Sequence, residues 1–493
     1  MLEYRDVYAG GRLVPSVSPD VITVVNPATE EVAGTAPAAA PADVDAVVRA
    51  ARYAFDTGTW AGGDPAARAA RAGALDRLAA ALEDRAEDTA RLVTAETGMP
   101  ISYSRLHNGI SPSAILRYYA GLARDLAPEE RRGAISFPGQ TLVRREPLGV
   151  TGVIAPWNYP LTLAFAQLAP ALAVGCTAVF KPAPETSLSA YILAEAVEAA
   201  DVPPGVFNLV TGATEVAEML AGHPGVDKVA FAGDTTAGRR VAAICGDRLK
   251  PVSLEVGGGA AAILLADADI GAAAAELGGL CFGAAGQACF TPSRVLAPES
   301  RYDEAVGALA GQAKAMVIGD PLAEDTTMGP LVGPGQRGRV EADVAARVAA
   351  GARVVAGGRR PAAPVRGYYY EPTVLAGAAP SAQVAGGWGA GDGPEGGEVP
   401  GPLVTVLPYK DEAEAVAIAN DADRGLAVSV WTADPDRALD MARRTRAGTF
   451  GVNLYMPDIG APWGDRHASG PASLYGPESL GAYVSARSVF LPL

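Results

Sequence analysis

Cysteine and histidine are scarce in this sequence of 493 residues, which has four cysteines and three histidines. The cysteines, Cys176, Cys245, Cys281 and Cys289, form no Cys-x-x-Cys pair, and three histidines are too few for a metal cluster. We therefore expect free thiols in a reducing, cytoplasmic setting and no bound metal.

A basic excess and a long apolar run are also lacking. The net charge of −15 argues against nucleic acid, whose binding needs a basic face. No stretch reaches the roughly 18 uninterrupted apolar residues of a membrane helix. The N-terminal residues MLEYRDVYAGGRLVP contain no basic region followed by an apolar run, so we expect no signal peptide and no membrane partner.

Alternating strands and helices dominate residues 140–210 and continue beyond them. GVTGVIAP, TAVFKPAP, FNLVTG and DKVAFAG read as strands, and LTLAFAQLAPALAVG, LSAYILAEAVEAA and EVAEMLAGH read as the intervening helices. This alternation predicts a parallel sheet covered on both faces, with ligands at the carboxyl ends of the strands. The alternative at this point is an α/β domain that binds no ligand.

Two further features of the chain suggest its domain organisation. A second α/β pattern runs from Glu255 to about 450, and its glycine-rich interruption at 385–397 reads as a flexible surface loop. The strands QTLVRREPLG at 140–149 and LGAYVSARSVFLPL at the end lie outside both α/β units. We expect them to form an intersubunit sheet.

The segment AAGQACFTPSR contains the strongest candidate nucleophile, Cys289. A nucleophilic cysteine needs a lowered pKa, access to substrate and a donor for the oxyanion it creates. Gly286 lets the backbone bend, and AGQAC can place Cys289 near a helix N-terminus, whose N–H groups would favour a thiolate. Alone, the pattern is equally typical of a buried structural cysteine.

Two other polar residues follow apolar strands. Glu255 in VSLEVGGG lies in an apolar segment, where burying an ionised carboxylate costs free energy. Such a carboxylate is expected to act as a base or to have hydrogen-bonding partners. Asn158 in VIAPWNYP ends a strand, and its amide could donate to an oxyanion; the alternative is a turn residue before Pro160.

Together these segments resemble the aldehyde dehydrogenase superfamily. EPLGVTGVIAPWNYPL, GCTAVFKPAPETSLSA, GVDKVAFAGDTTAGRR, LEVGGG, GQACFTPSR, EVPGPLVTVLPY and GLAVSVWTAD occur in the family's order and cover essentially the whole chain. The resemblance implies an α/β protein with a doubly wound, Rossmann-like cofactor domain (1–127 and 150–254), an α/β catalytic domain (255–453) and a small β oligomerisation arm (128–149 and 470–493). It also implies a homodimer or homotetramer.

The resemblance assigns roles to individual residues. Cys289 would attack the aldehyde, Asn158 would hold the oxyanion, and Glu255 would activate the water that releases the acid. NAD or NADP would accept the hydride. The implied cofactor-binding residues are Lys181, Glu185, Trp157, Gly233, Asp234, Thr235, Gly238 and Glu398.

Several positions depart from the family pattern. Pro184 stands where an acidic residue often reads the adenosine ribose, with Glu185 one place later, which leaves NAD versus NADP open. Asp234 replaces a serine beside the pyrophosphate, where a carboxylate repels phosphate unless it turns away or caps the helix. Further departures are Pro400 for an aromatic residue, Gln167 and Leu474 for a lysine–glutamate pair, Gly259 for a lysine and Ala284 for an asparagine.

These departures leave two hypotheses. The first is an active aldehyde dehydrogenase with changed cofactor handling, and the alternative is a weakened member that binds a ligand or a partner subunit. Because the presumed nucleophile, base and oxyanion donor are all present, we favour activity. An aromatic set, Trp157, Tyr159, Phe290, Tyr455 and Trp463, would suit an apolar or aromatic aldehyde, or a quaternary-ammonium aldehyde by cation–π contact.

Overall fold

The computed structural model describes residues 1–258, 260–377, 399–421, 425–464, 469–470 and 473–492. Its strands are β1 (Leu2–Glu3), β2 (Asp6–Ala9), β3 (Arg12–Pro15), β4 (Val21–Asn26), β5 (Glu31–Pro37), β6 (Glu129–Gly133), β7 (Gly139–Pro147), β8 (Val150–Ile154), β9 (Thr177–Lys181), β10 (Phe207–Leu209), β11 (Lys228–Gly233), β12 (Val252–Val256), β13 (Ala260–Leu264), β14 (Pro292–Pro298), β15 (Arg353–Ala356), β16 (Thr373–Ala376), β17 (Leu403–Tyr409), β18 (Ala427–Trp431), β19 (Thr449–Val452), β20 (Trp463–Gly464), β21 (Ser473–Leu474) and β22 (Val484–Pro492).

The α-helices are α1 (Pro41–Thr57), α2 (Pro65–Asp84), α3 (Ala86–Thr97), α4 (Ile101–Ser104), α5 (Ser111–Asp125), α6 (Pro160–Val174), α7 (Ser189–Ala199), α8 (Thr214–Gly222), α9 (Thr235–Asp247), α10 (Ile270–Phe282), α11 (Tyr302–Ala315), α12 (Pro334–Ala349), α13 (Glu412–Asn420) and α14 (Pro435–Arg444). A π-helical turn, Arg105–Ile110, joins α4 to α5. No helix among the described residues is long and apolar enough to cross a membrane.

The first large sheet has the order β12-β11-β8-β9-β10-β2-β3 in the described part of the chain. Its first five strands are parallel, and β2 and β3 add an antiparallel edge. Val153 and Phe180 pack into one hydrophobic core with α6, whereas Ile154 and Val179 pack into another with α1 and α8. Because successive side chains of a strand point to opposite faces, these two cores show that helices cover both faces. The predicted α/β fold class is confirmed.

The second large sheet has the order β15-β16-β17-β14-β13-β18-β19. All its described neighbours are parallel except the antiparallel pair β15 and β16. A third core, built around β13, β14, β17 and β18, lies against α10 and α11. This sheet is the α/β unit that the sequence pattern after Glu255 predicts.

The two strands that fit neither α/β unit pair with each other. β22 runs antiparallel to β7 from Val484 opposite Pro147 to Pro492 opposite Gly139, and β6 pairs with the other edge of β7. Every residue of β6 is exposed. The described strands of this arm therefore form a ribbon that the rest of the chain leaves largely uncovered.

Helices α2 and α3 are separated only at Arg85, whose φ of −107° and ψ of 10° are not helical. The predicted glycine-rich loop at 385–397 lies outside the described residues.

Strand register brings the ends of the strands together where the predicted site lies. Ile154 pairs with Lys181 and also with Phe231, and Ala232 pairs with Glu255. The carboxyl ends of β8, β9, β11 and β12 therefore share one edge of the first sheet, where ligands bind in such folds. In the second sheet Ala260 pairs with Pro292, so the segments that follow Glu255 and Cys289 enter neighbouring strands.

Candidate active site

Cys289 lies in a turn between α10 and β14, and not at a helix N-terminus. The prediction of a helix N-terminus beside the thiol is therefore wrong. A short 3₁₀ segment, Gly283–Gly286, precedes the turn, and Ala284, Ala285 and Gly286 all have positive φ angles of 50°, 55° and 65°. Such a run is rare for residues with a side chain and is kept only where the surroundings hold it.

Gly286 has a specific steric reason to be glycine. A Cβ atom built on Gly286 would lie 2.0 Å from the carbonyl oxygen of Gly401. The Gly401 N–H in turn donates to the Gly286 carbonyl oxygen at 3.1 Å. Gln336 Nε2 donates to the carbonyl oxygen of Pro400. The loop that carries Cys289 is thus tied to the segment that immediately follows Glu398 in the chain.

Asn158 and Gln287 hold the same loop from its other side. Asn158 Nδ2 donates to the Gln287 carbonyl oxygen at 2.9 Å. The Gln287 side chain donates to the carbonyl oxygen of Ala284 at 3.1 Å and accepts from the Val332 N–H at 3.0 Å. One amide hydrogen of Asn158 is therefore used for positioning. The second hydrogen has no acceptor among the described residues.

The environment of the thiol opposes its ionisation. Burial raises the pKa of Cys289 well above its usual value, and the carboxylate of Glu255 raises it further. The backbone N–H groups of Cys289 and Phe290 act in the opposite direction, because they donate to the sulfur. The thiolate that the sequence suggested is not the favoured state here.

Glu255 is buried on β12 and faces the same space as Cys289. Its charge also raises the pKa values of Tyr455 and Tyr475, so these hydroxyl groups lie within its field. The strand is fixed locally, because the Val256 N–H donates to the carbonyl oxygen of Ser469 at 2.9 Å. A carboxylate held close to a buried thiol can accept its proton.

Lys181 and Glu185 lie together at the adjoining strand end. Lys181 ends β9 and is 4% exposed, and burial lowers its pKa to about 8. The carboxylates of Glu185 and Glu215 act against this shift. No hydrogen bond or salt bridge reaches Lys181 Nζ from the described residues. A buried ammonium without such partners is ready to donate to a ligand.

Asp234 caps helix α9. Its Oδ1 atom accepts the Ala237 N–H at 2.9 Å, so the carboxylate occupies the helix start at which a phosphate would bind. Thr235 begins the helix and is buried. Cβ atoms built on Gly233 and Gly238 would lie 2.7 Å from Phe231 and 2.5 Å from Val256, so both glycines permit close packing. The capping role that the sequence left open is the one observed.

The remaining residues that the sequence analysis named lie in different environments. Glu398 and Gly259 lie outside the described residues. Trp157, next to Asn158, is partly exposed. Leu474 is buried on β21 opposite Trp463. Gln167 is buried on α6, and neither polar atom of its amide has a hydrogen-bond partner in the described part of the chain.

Four of the five predicted aromatic residues form a connected wall. The ring centroids of Tyr159 and Phe290 are 6.3 Å apart, and those of Phe290 and Tyr455 are 5.6 Å apart. Trp463 Nε1 donates to the Tyr455 hydroxyl at 2.9 Å. The sequence analysis missed His107, whose ring lies edge-on to Tyr159 at 4.9 Å. Its π-helical turn interrupts the 3.6-residue period, so periodicity gave no signal for it.

The fold and this site define a class of protein. The Cys289 thiol, the Glu255 carboxylate and the Asn158 amide lie near the carboxyl edge of the first large sheet. Helices cover both faces of this sheet, and the second α/β unit adjoins the same edge. These are the parts needed for covalent catalysis at a carbonyl group with a dinucleotide as partner.

Comparison with known proteins agrees with the class of protein inferred from the fold and the site. The family model described as Aldehyde dehydrogenase family matches residues 13–489, and the chain belongs to this family. Geranial dehydrogenase of Castellaniella defragrans (strain DSM 12143 / CCUG 39792 / 65Phen) is 41% identical over 490 residues, covering 99% of each chain.

Solved structures give the same result. Aldehyde dehydrogenase of Mycobacterium tuberculosis complexed with NAD+ matches with a TM-score of 0.93 and 39% identity, covering 99% of this chain and 98% of that one. A mutant of aldehyde dehydrogenase C from Pseudomonas syringae, complexed with NAD+ and octanal, matches with a TM-score of 0.92 and 34% identity, covering 98% and 96%.

Proposed function

We propose that this protein oxidises an aldehyde to its carboxylic acid with NAD+, through a covalent intermediate on Cys289. The observation that carries the proposal is the convergence of Cys289, Glu255 and Asn158 at one point between the two sheets. Family membership supports the reaction class. No observation favours the alternative of a weakened, partner-binding subunit.

The first step follows from the raised pKa of the thiol. Because Cys289 is protonated in this environment, its attack on the aldehyde carbon needs a base, and Glu255 is the carboxylate that faces it. The sulfur–carbon bond forms as the thiol proton passes to Glu255. The carbonyl oxygen becomes an oxyanion, to which the free Asn158 amide hydrogen and the Cys289 N–H donate.

The second half of the reaction releases the acid. NAD+ held at the strand ends beside Lys181 would supply the hydride acceptor that is needed to oxidise the adduct on Cys289 to a thioester. Glu255, after losing its proton to solvent, takes a proton from water as the water attacks this carbonyl. The carbon–sulfur bond then breaks as the carboxylic acid leaves, and the departing sulfur takes the proton back from Glu255, which restores Cys289 as a thiol and Glu255 as a carboxylate.

The cofactor edge fits a dinucleotide. The buried ammonium of Lys181 suits ribose hydroxyl groups, and Gly233 and Gly238 allow the backbone to turn closely into α9. Glu185 lies within the field of Lys181, so its carboxylate would repel a 2′-phosphate. We therefore propose NAD+ in preference to NADP+.

The test is a calorimetric titration of the purified protein with each dinucleotide, followed by an aldehyde assay with the one that binds. We expect tighter binding of NAD+ and formation of NADH with stoichiometric acid. Tighter binding of NADP+ would contradict the cofactor assignment. Binding without turnover of any aldehyde would contradict the proposed reaction.

For the substrate, we propose an uncharged aldehyde with an apolar or aromatic body. The wall of Tyr159, Phe290 and Tyr455 offers large apolar surface beside Cys289. Geranial and octanal, which the names of two related proteins mention, are aldehydes of this kind.

We also propose a homodimer built on the arm of β6, β7 and β22. Phe490 is 67% exposed and contacts Phe137 in an edge-to-face pair on a ribbon with uncovered strands. Sedimentation analysis should give twice the chain mass, and deletion of residues 484–493 should give the monomer. The four free cysteines suit a reducing cytoplasm, which we propose as the location.

A further inference from the structure

The aromatic wall beside Cys289 contains two polar groups that the reaction does not use. Tyr159 is only 6% exposed, yet no described residue forms a hydrogen bond with its hydroxyl group. Neither ring nitrogen of the adjacent His107 has a partner among the described residues. Burial raises the pKa of Tyr159, and electrostatic interactions with Tyr103 and Cys289 raise it further, which places this hydroxyl close to the reacting thiol.

The other polar groups of this wall are satisfied. The Tyr455 hydroxyl shares a hydrogen bond of 2.6 Å with Thr449 and accepts from Trp463. The Tyr103 hydroxyl donates to the carbonyl oxygen of Gly279 at 3.5 Å. Tyr159 and His107 therefore stand out as an unpaired polar spot on an otherwise apolar surface.

The π-helical turn holds His107 in place. Asn108 Oδ1 accepts the Leu161 N–H at 3.3 Å, and the Thr162 hydroxyl donates to the carbonyl oxygen of His107. Leu161 and Thr162 belong to the first turn of α6, directly after Asn158 and Tyr159. The imidazole is thus fixed relative to the segment that carries the oxyanion donor.

Both groups are neutral near pH 7. Burial lowers the pKa of His107 to about 4 and raises that of Tyr159 above its usual value. A neutral imidazole has one donor and one acceptor, and a phenol can donate or accept. This pair matches a hydroxyl or carbonyl oxygen better than it matches a charged group.

We propose that Tyr159 and His107 form a recognition pair that hydrogen-bonds an oxygen atom on the body of the aldehyde substrate. Among uncharged aldehydes with an otherwise apolar or aromatic body, the enzyme then prefers those that carry one hydroxyl or carbonyl oxygen in that region over those that carry none. This inference rests on the proposed aldehyde oxidation. A hydrocarbon or a quaternary ammonium group would displace water from both polar groups without replacing its hydrogen bonds, which makes its binding weaker.

The test compares kcat/KM for three benzaldehydes substituted at the meta or para position with hydroxymethyl, ethyl or trimethylammonio groups. Hydroxymethyl and ethyl are similar in size and differ in one oxygen, so their ratio isolates the hydrogen bond. We expect the ratio of kcat/KM for the hydroxymethyl substrate to kcat/KM for the ethyl substrate to be highest in the unmodified enzyme. It should fall roughly 10-fold in Tyr159→Phe, which removes one oxygen, and similarly in His107→Phe.

Tyr53→Phe is the matched control, because it makes the same chemical change away from the site. Tyr53 lies on α1, and 72% of its surface is exposed. Its ratio should equal that of the unmodified enzyme. An unchanged ratio in both Tyr159→Phe and His107→Phe, or a preference for the trimethylammonio substrate, would overturn the recognition pair and leave aldehyde oxidation standing. Failure of the unmodified enzyme to oxidise any of the three would instead overturn the proposed function.

Discussion

The loop around Cys289 and the start of helix α9 differ in where their polar groups find hydrogen-bond partners. In the loop, the backbone and amides are tied to separate segments through Asn158, Val332 and Gly401. At the helix start, Asp234 satisfies a backbone N–H from within its own turn. The first arrangement leaves one amide hydrogen for the reaction, whereas the second places a carboxylate where phosphate would bind.

This difference explains how departures from the family pattern can coexist with an intact reactive centre. The loop depends on many mutual contacts, so single changes within it move the thiol. The helix start depends on one local cap, so its cap can change without moving its neighbours. Substitutions in the loop should therefore lower the rate of the reaction, whereas substitutions at the helix start should change the affinity for the dinucleotide.

The largest expected effect is from Cys289→Ala. Loss of the nucleophile removes the covalent route, and acid formation should fall by roughly 10³-fold or more while dinucleotide binding persists. Cys281→Ala is the matched control, since Cys281 is fully buried in the same region and its thiol donates to the carbonyl oxygen of Pro292. It should lose some stability and keep its rate. Steady-state assays decide, and full activity in Cys289→Ala would refute the mechanism.

The next effect tests the rigidity of the loop through Gly286→Ala. The new methyl group would clash with the Gly401 carbonyl, and the residue would keep a positive φ. We expect a loss of about 1–3 kcal/mol in stability and a fall in kcat/KM of roughly 10²-fold. Gly307→Ala, in a helix with open space around it, should be neutral or stabilising. Chemical denaturation with parallel assays measures both, and equal behaviour of the two variants would show that the loop is not held as described.

A smaller effect, in the favourable direction, is expected for Asp234→Ser. Serine keeps the helix cap and removes the negative charge, so the dissociation constant for NAD+ should fall about 3- to 10-fold with little change in thermal stability. Asp269→Ser provides the control, because Asp269 caps α10 through Ala272 in the same way. Its affinity for NAD+ should not change. Weaker binding by Asp234→Ser would mean that the carboxylate serves the cofactor.

The smallest effect concerns Glu96, which supports the turn after Glu185. Its buried carboxyl group accepts the N–H groups of Leu188 and Ser189, and burial raises its pKa to about 8. Because this pKa lies above that of the unfolded chain, the stabilisation is complete below about pH 4.5 and is lost as the pH rises through 8. Glu96→Gln should therefore flatten the decline of the melting temperature between pH 5 and 9. A parallel decline in both proteins would exclude this carboxyl as its cause.

Much of the fold could be predicted because its signals are local. The alternation of apolar strands with helices predicts the first large sheet, and the same alternation after Glu255 predicts the second. Asp234 followed by Thr-Thr-Ala is a recognisable helix start, so its capping role could be anticipated as one of two options.

What could not be predicted depends on distant contacts. The sequence suggested a helix N-terminus and a thiolate at Cys289, whereas the structure has a turn and a thiol whose pKa is raised by Glu255. His107 lies on a π-helical turn that is stabilised by the Leu161 N–H and the Thr162 hydroxyl group of α6, in bonds that span 53 and 55 residues of the chain. Neither feature has a local pattern that would distinguish it.

The bond between the Gly401 N–H and the Gly286 carbonyl also bears on how this family can vary. Together with the contact between Gln336 and Pro400, it anchors the chain from residue 400 onward against the loop of the nucleophile. Changes in chain length upstream of this anchor need not alter the position of Cys289. A change in the length of the chain ahead of residue 399 is thus compatible with an unchanged position of the reactive thiol.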